Sequence, residues 1–154
     1  MDLSDLIEAS AILPALKANS KKQLLQLLSE KAAAITGLPE REVFDTILQR
    51  ERLGSTGVGN GIAIPHGKLP GVKRITGVFA RLDAPVDFEA LDDQPVDLVF
   101  LLLAPEGAGA DHLKALSRIA RVLRDGDTVA KVRGTRDPAA IHALLSETPA
   151  SNAA

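Results

Sequence analysis

The chain has 154 residues, of which 45% are hydrophobic and 25% charged, with a formal net charge of −2 and no cysteine. This balance predicts one globular domain with a sizeable core, and it argues against direct binding to nucleic acid, which requires a basic surface. Without cysteine the chain has neither a disulfide nor a thiol nucleophile, which agrees with a reducing compartment.

Nothing in the sequence predicts insertion into a membrane. The amino terminus is acidic and lacks the basic start and apolar run of a secretory signal. The longest apolar run, residues 98–104, is far shorter than the ~20 residues that a membrane-spanning helix needs. We therefore expect a cytoplasmic protein.

Two helices are predicted in the first third of the chain. Ser20 and Gln23 form a capping-box pattern ahead of an apolar run, which places the first helix at about 20–36. The second helix should run from Pro39, tolerated at an early position, to a stop at Gly54. Its apolar face carries Val43, Phe44, Ile47 and Leu48.

Three strands are predicted in the middle of the chain. They cover residues 62–64, 75–82 and 96–104, separated by turn-rich stretches at 69–71 and 83–95. The third strand is continuously apolar, which is typical of a strand buried on both faces.

The last third is predicted to be helical. A helix should open at Asp111 and close at Gly126, followed by a short helical segment at 128–132 and a final helix from Pro138 to about Glu147. The long helix should turn one apolar face to the core, formed by Leu113, Leu116, Ile119, Ala120 and Leu123. Residues 148–154 are predicted to be a disordered tail.

Helices that alternate with strands predict the α/β class. We expect a single-domain sandwich over residues 1–147, in which a mixed β-sheet is flanked by helices on both faces. No internal repeat or interdomain linker interrupts it.

The most informative stretch, residues 54–68, reads GSTGVGNGIAIPHGK. Four glycines within eight residues precede a short apolar run, and His66 then stands between Pro65 and Gly67. Glycines allow backbone N–H groups to converge on an anion, and the flanking residues keep the imidazole at a strand end. This combination indicates a histidine positioned to meet a phosphate group.

A neutral imidazole has a nitrogen lone pair and an unperturbed pKa of ~6.5, so it can attack phosphorus near neutral pH without a separate base. Phosphoryl transfer then depends on positioning and on stabilisation of the equatorial oxygens, which N–H groups and an arginine supply. The three histidines are 46 and 30 residues apart, unlike a zinc site, and no nucleotide-binding motif follows the glycines. We expect neither a metal nor a cofactor.

Simpler interpretations exist for the same residues. His66 could be a loop histidine that only forms a hydrogen bond, and Arg50 a surface cation at a helix C-terminus. His112 could lie on a solvated helix start, while Ser55 and Thr56 could be turn formers. His142, with no motif around it, is expected to be structural.

The segments Arg50-Glu51, Gly54-Ser55-Thr56-Gly57 and Ile64-Pro65-His66-Gly67 occur in that order. They resemble the active-site segment of the enzyme IIA family of the bacterial phosphotransferase system, in its mannitol/fructose type, and most closely its nitrogen-regulatory branch. The similarity continues more loosely through residues 92–98 and His112-Leu113, and so covers about residues 5–147.

The resemblance implies a phosphocarrier, a phosphotransferase component more than a stand-alone turnover enzyme. His66 would accept a phosphoryl group from an HPr-type phosphocarrier of the nitrogen branch. His112 would donate a hydrogen bond to that group, and Arg50 would be a phosphate ligand. The glycine-rich loop would face the phosphate through Ser55, Thr56, Gly57, Gly59 and Gly61.

The same resemblance implies that the phosphorylation state regulates partner proteins, among them potassium transport and signalling proteins. A second possibility within the family is a sugar-specific enzyme IIA that passes phosphate to a fructose or mannitol enzyme IIB. A possibility of another class is a module that binds a phosphorylated ligand at His66 without covalent chemistry.

Overall fold

The computed structural model describes residues 2–147, and the tail predicted at 148–154 lies outside the described residues. The helices are α1 Lys21–Thr36, α2 Glu40–Leu53, α3 Ala110–Arg124, α4 Gly126–Arg133 and α5 Pro138–Ser146. The strands are β1 Ile12–Leu16, β2 Gly57–Gly59, β3 Ile62–Ala63, β4 His66–Leu69, β5 Thr76–Val86 and β6 Val96–Pro105. Short 3-10 turns at Leu3–Asp5 and Ala9–Ala11 precede β1.

Local chemistry sets the ends of the first two helices, as predicted. The Ser20 side chain accepts a hydrogen bond from the Gln23 N–H at 3.1 Å, and Gly37 ends α1 in the left-handed region with φ 77°. Pro39 precedes α2, where its missing N–H costs nothing, and Gly54 follows it. After Gly54 the chain continues through two residues into β2, which begins at Gly57.

Strand β6 lies at the centre of a six-stranded mixed sheet with the order β1-β5-β6-β3-β2. It pairs antiparallel with β5 on one side and parallel with β3 and then β4 on the other. Strand β1 pairs parallel with β5 at one edge, and β2 pairs antiparallel with β3 at the other. β3 and β4 therefore form one interrupted line along β6.

The side chains of β6 alternate between two cores, one on each face of the sheet. Leu98, Phe100 and Leu102 pack with residues of α3, α4 and α5, and the Phe79 and Phe100 rings are 6.1 Å apart. Val99, Leu101 and Leu103 pack on the opposite face with residues of α1 and α2. The predicted sandwich, with helices on both faces of a mixed sheet, is confirmed.

Several elements differ from the sequence prediction. β1 was not predicted, because it is short and contains Pro14, which a strand tolerates at the edge of a sheet. β5 continues to Val86 beyond the predicted end at Leu82. Gly126 was predicted to close α3 but is the first residue of α4. No helix within residues 2–147 is both long and apolar enough to cross a membrane.

Candidate active site

His66 is the first residue of β4, at the point where the line of β3 and β4 is interrupted. Ala63 is in register with Val99 of β6, and His66 with Leu102. Between them Pro65 has no N–H for the ladder, although its carbonyl accepts the Leu102 N–H at 2.9 Å. The imidazole therefore lies at a strand end, as predicted, and is half-buried.

One nitrogen of the His66 ring has a fixed partner. Nδ1 lies 2.8 Å from the carbonyl oxygen of Ile64. A carbonyl can only accept, so in the neutral ring Nδ1 carries the proton and Nε2 carries the lone pair. The nitrogen that can act as a nucleophile is thereby defined.

A second imidazole lies next to the first. His112 is the third residue of α3, and its ring centroid is 5.6 Å from that of His66 with an interplanar angle of 62°. The side chain is buried, and its Nε2 has no hydrogen-bond partner among residues 2–147. A buried polar atom without a partner is rare in native proteins and is commonly explained by a missing ligand or a catalytic role.

The burial of His112 corrects the predicted face of α3. The sequence pattern placed Leu113 in the core, yet that side chain is 68% exposed. The buried face is instead formed by His112, Ala115, Ile119, Val122 and Leu123. The helix is rotated by about one position, which turns His112 inward toward His66.

The surroundings keep both imidazoles neutral near pH 7. Burial lowers the pKa of His66 and the Arg50 guanidinium lowers it further, while the hydrogen bond to Ile64 and the Glu51 carboxylate raise it. Burial also lowers the pKa of His112, with smaller contributions from the neighbouring His66 and Lys68. A lowered pKa preserves the lone pair that a nucleophilic histidine needs.

Arg50 lies in the last turn of α2, close enough to His66 to influence its pKa. Its Nη1 donates to the Gly54 carbonyl oxygen at 2.9 Å, which holds the side chain against the start of the glycine-rich segment. A guanidinium group has five N–H donors, so this one bond leaves others for an anion.

The glycine-rich segment is a β-hairpin. Asn60 and Gly61 connect β2 to β3 with φ of 58° and 81°, the conformation that favours Asn-Gly in two-residue hairpin loops. The Gly61 carbonyl accepts the Leu98 N–H at 3.1 Å, whereas His66 is in register with Leu102. Four residues of β6 separate these positions, about 13 Å. The structure therefore does not bring Gly61, or Gly59 beside it, next to His66.

The base of the hairpin, residues 55–57, is closer to His66 than Gly61 is. The polar groups of these residues already have hydrogen-bond partners. The Ser55 hydroxyl donates to the Phe88 carbonyl at 3.0 Å and accepts the Gly57 N–H at 3.1 Å. The Thr56 hydroxyl and N–H both donate to the Glu51 carboxylate. The predicted role of Ser55, Thr56 and Gly57 in facing a phosphate stays a prediction, since these bonds would have to be exchanged first.

Glu51 is a buried residue of this region to which the sequence analysis assigned no role. It follows Val43 and Ile47 at helical spacing, and the three residues form the buried face of α2. A carboxylate on an apolar helix face is the sequence signal that could have identified it.

His142, expected to be structural, lies apart from this site. Its half-buried ring places Nε2 2.9 Å from the Ile7 carbonyl oxygen and so connects α5 to the amino-terminal segment. Among residues 2–147 no group of three or more His, Cys, Asp or Glu side chains could hold a metal ion.

Comparison with known proteins places the whole chain in a family. A family model described as "Phosphoenolpyruvate-dependent sugar phosphotransferase system, EIIA 2" matches residues 5–148. The chain belongs to this EIIA 2 family. The predicted resemblance to enzyme IIA is therefore confirmed.

Relatives of this EIIA 2 chain carry a regulatory name. A protein named "Nitrogen regulatory protein" from Bradyrhizobium diazoefficiens is 64% identical over 153 residues, covering 99% of this chain and 100% of the relative. A protein of the same name from Escherichia coli K12 is 40% identical over 149 residues, covering 96% and 91%. The crystal structure of nitrogen regulatory protein IIA-Ntr from Neisseria meningitidis superimposes with a TM-score of 0.89 at 36% identity, covering 93% and 98%.

Proposed function

We propose that this chain is a cytoplasmic phosphocarrier that accepts a phosphoryl group on Nε2 of His66 from an HPr-type histidine phosphocarrier. The observation that carries the proposal is the hydrogen bond from Nδ1 of His66 to the Ile64 carbonyl, beside the ring of His112, whose Nε2 has no partner within residues 2–147. The first fixes the lone pair on Nε2, and the second offers a donor to the incoming group.

The transfer is an exchange of one phosphorus–nitrogen bond for another. The Nε2 lone pair attacks phosphorus, the bond to the donor's imidazole breaks, and that imidazole leaves with its electron pair and takes a proton from solvent. Nδ1 of His66 keeps its proton and its bond to Ile64 throughout. A nucleophile with a lowered pKa needs no separate base for this step.

Two side chains would stabilise the transferred group. The phosphoryl group brings about −1.5 to −2 charge, and a histidine N–H and an arginine supply charge-assisted hydrogen bonds to its oxygens. His112 is held rigidly by the core, since it is buried in the first turn of α3. Arg50 contacts the Gly54 carbonyl through one nitrogen only.

The test is intact-mass measurement after incubation with enzyme I, HPr and phosphoenolpyruvate. A carrier gains one phosphoryl group, about 80 Da, whereas a module that binds a phosphorylated ligand without covalent chemistry gains none. His66→Gln should abolish the gain, and His142→Gln, which changes a histidine outside the site, should retain it. Full labelling of folded His66→Gln protein would exclude His66 as the acceptor.

The chemical stability of the label identifies the bond. A phosphoramidate leaves readily once its nitrogen is protonated, so the label should be lost in mild acid and kept in base. Loss in base instead would indicate an acyl phosphate on Asp or Glu. A label stable to both would indicate a hydroxyl group.

We further propose that the phosphorylation state regulates partner proteins, such as potassium transport or signalling proteins. Support comes from the relatives named "Nitrogen regulatory protein". The family description, which names sugar transfer, favours the second candidate, an enzyme IIA that passes phosphate to a fructose or mannitol enzyme IIB. Transfer of label from this chain to a purified enzyme IIB would support the second candidate. Capture of a partner by only one of the two phosphorylation states would support regulation.

A further inference from the structure

A buried carboxylate, that of Glu51, lies in the last turn of α2, directly after Arg50 in the sequence. The Glu51 side chain is 2% exposed, and Lys21 Nζ is 3.0 Å from its Oε1. The Thr56 N–H donates to Oε1 at 3.1 Å, and the Thr56 hydroxyl donates to Oε2. A buried charge is tolerated only when it is paired and hydrogen-bonded, and Glu51 satisfies both conditions through just two residues.

Lys21 is itself held in place. Its Nζ lies 4.5 Å from the centroid of the Phe88 ring, within the range of a cation–π contact, and Phe88 is fully buried. The Phe88 carbonyl also accepts the Ser55 hydroxyl. The start of α1 and the base of the hairpin are thus attached to the same carboxylate and the same aromatic residue.

From Thr56 the hydrogen bonds lead to His66. The Thr56 carbonyl accepts the Ile64 N–H at 3.0 Å, and the Ile64 carbonyl accepts Nδ1–H of His66 at 2.8 Å. The N–H and carbonyl of each linking residue belong to different peptide groups. These hydrogen bonds therefore act by fixing the positions of Thr56 and Ile64, because each of the two residues is bound at both its N–H and its carbonyl.

The sheet does not fix the Ile64 carbonyl by itself. Ile64 lies between β3 and β4, where the ladder with β6 is interrupted, and its N–H donates to Thr56 and not to β6. Pro65 is held on one side by its carbonyl, which accepts the Leu102 N–H, and Ile64 on the other by its bond to Thr56, so the orientation of the Ile64 carbonyl depends in part on where Thr56 is held.

We propose that Glu51 is a positioning residue for phosphoryl transfer, which with Lys21 holds Thr56 and, through Thr56, the Ile64 carbonyl that fixes the tautomer and orientation of the His66 imidazole. The inference rests on the proposed role of His66 as acceptor. It assigns the base of the glycine-rich hairpin to holding the histidine, a use that accounts for the occupied hydroxyl and N–H of Thr56.

Electrostatics supports the same role. The charged and titratable groups that act on His66 or on the adjacent His112 ring come from α2 and β4: Arg50 and Glu51 on α2 act on His66, and Lys68 on β4 acts on His112 of α3. Burial and Arg50 lower the pKa of His66, while Glu51 raises it. The carboxylate thus offsets the nearby guanidinium, and its removal should lower the pKa of His66 further.

The test is Glu51→Gln, compared with Glu42→Gln on the exposed side of the same helix. Gln retains an acceptor for the Thr56 N–H but loses the charge that holds Lys21 and the hydroxyl. We expect a fall in the pKa of His66, and a smaller share of the Nδ1–H tautomer, in ¹⁵N NMR spectra of the unphosphorylated protein. Phosphoryl acceptance should slow by about 10-fold, less than the ~10⁴ lost when a carboxylate bound directly to a catalytic histidine is neutralised.

A second pair of variants tests the link if Glu51→Gln does not fold. Thr56→Val removes the hydroxyl, whereas Thr56→Ser retains it. We expect Val to shift the tautomer balance and slow acceptance, and Ser to restore both. Circular dichroism and thermal unfolding establish that each variant is folded.

The outcomes separate this inference from the proposed function. Folded Glu51→Gln or Thr56→Val protein whose His66 spectrum and acceptance rate match those of Glu42→Gln would overturn the positioning role. A wild-type protein that takes no label at His66 would overturn the proposed function, and the NMR comparison would still decide whether Glu51 positions the ring.

Discussion

The imidazoles of His66 and His112 meet edge to face, with their ring centroids 5.6 Å apart. They begin different elements, one β4 and the other within the first turn of α3, and both have a pKa lowered by burial. Two neutral rings can stand this close without repulsion. One can therefore supply a lone pair while the other supplies an N–H.

Replacing His112 should weaken the site without removing the acceptor. We expect His112→Gln and His112→Ala each to slow labelling at His66 by up to about 10²-fold, because one donor to the transferred group is lost from a partly open site. Gln, which retains an N–H, should be the milder change. Rates of label transfer and half-lives of the adduct are the measurements. Equal rates in His112→Ala and His142→Gln would show that the second imidazole has no part in transfer.

Two variants of Arg50 separate the effect of its positive charge on phosphoryl transfer from the effect of its planar set of N–H donors. A cation ~4 Å from an anion contributes of order 4 kcal/mol per unit charge at an effective dielectric near 20, and solvent and salt reduce this at an exposed site. Arg50→Ala should therefore slow transfer and shorten the life of the adduct, while Arg50→Lys should show a partial defect because the fork of donors is lost. Transfer rates at low and high salt are the measurement.

Arg41→Ala is the matched control for Arg50. Arg41 is on the same helix, its side chain is 93% exposed, and within residues 2–147 its one ion pair is with Asp45 at 3.9 Å. If Arg50→Ala and Arg41→Ala behave alike at both salt concentrations, Arg50 is an ordinary surface cation.

The two buried imidazoles should make stability depend on pH. Their folded-state pKa values lie below the ~6.5 of an unfolded histidine, so the unfolded chain binds more protons as the pH falls through that value. The free energy of unfolding should be at its full value above about pH 7 and decline as the pH falls toward 5.5. Chemical unfolding at a series of pH values measures it.

The double variant His66→Gln/His112→Gln serves as the comparison for this pH dependence. It should show a flatter profile between pH 7 and 5.5, since the groups responsible are absent. A wild-type profile as flat as that of the double variant would mean that these histidines titrate normally in the folded protein.

Gly57 should be sensitive to substitution because of close packing and not because of its backbone conformation. A Cβ added at Gly57 would lie 2.7 Å from Ala90 Cβ and 2.9 Å from Ala90 Cα, too close without movement of the backbone. We expect Gly57→Ala to lower the free energy of unfolding by about 1–3 kcal/mol and to slow labelling at His66, because it displaces the base of the hairpin.

Gly107→Ala is the control, since an added Cβ there meets nothing within 4 Å. Urea unfolding and label transfer should leave that variant close to wild type. Gly57→Ala protein as stable and as active as Gly107→Ala would show that the hairpin base moves at no cost to the site.

Local patterns predicted most of the elements and the position of His66 at a strand end. The Ser20 cap, Gly37 and Pro39 determine the ends of helices through bonds made within a turn. The apolar run at 96–104 indicated a strand buried on both faces, and Pro65 and Gly67 indicated that His66 lies at a strand end. These features depend on neighbours in the sequence, so the sequence alone contains them.

The glycine-rich segment shows where local reasoning fails. Its composition suggested a loop that binds phosphate, and Asn60-Gly61 equally fits a hairpin loop. The pairing of β2 with β3 forms a hairpin, and the pairing of β3 with β6 places Gly61 away from His66. Asn60-Gly61 was therefore the local signal for the hairpin, whereas the pairing of β3 with β6 joins segments distant in sequence and has no local signal.

Local sequence patterns were therefore sufficient for the strand-end position of His66, the ends of α1 and α2 and the layers of the fold. The groups that surround the His66 ring depend on the tertiary structure. The rotation of α3 that buries His112 and exposes Leu113 is set by packing on the sheet, because the apolar spacing of that helix fits more than one face. The contacts that link Lys21, Glu51 and Thr56 to Ile64 and His66 bring together separate elements, and such contacts form only once the chain has folded.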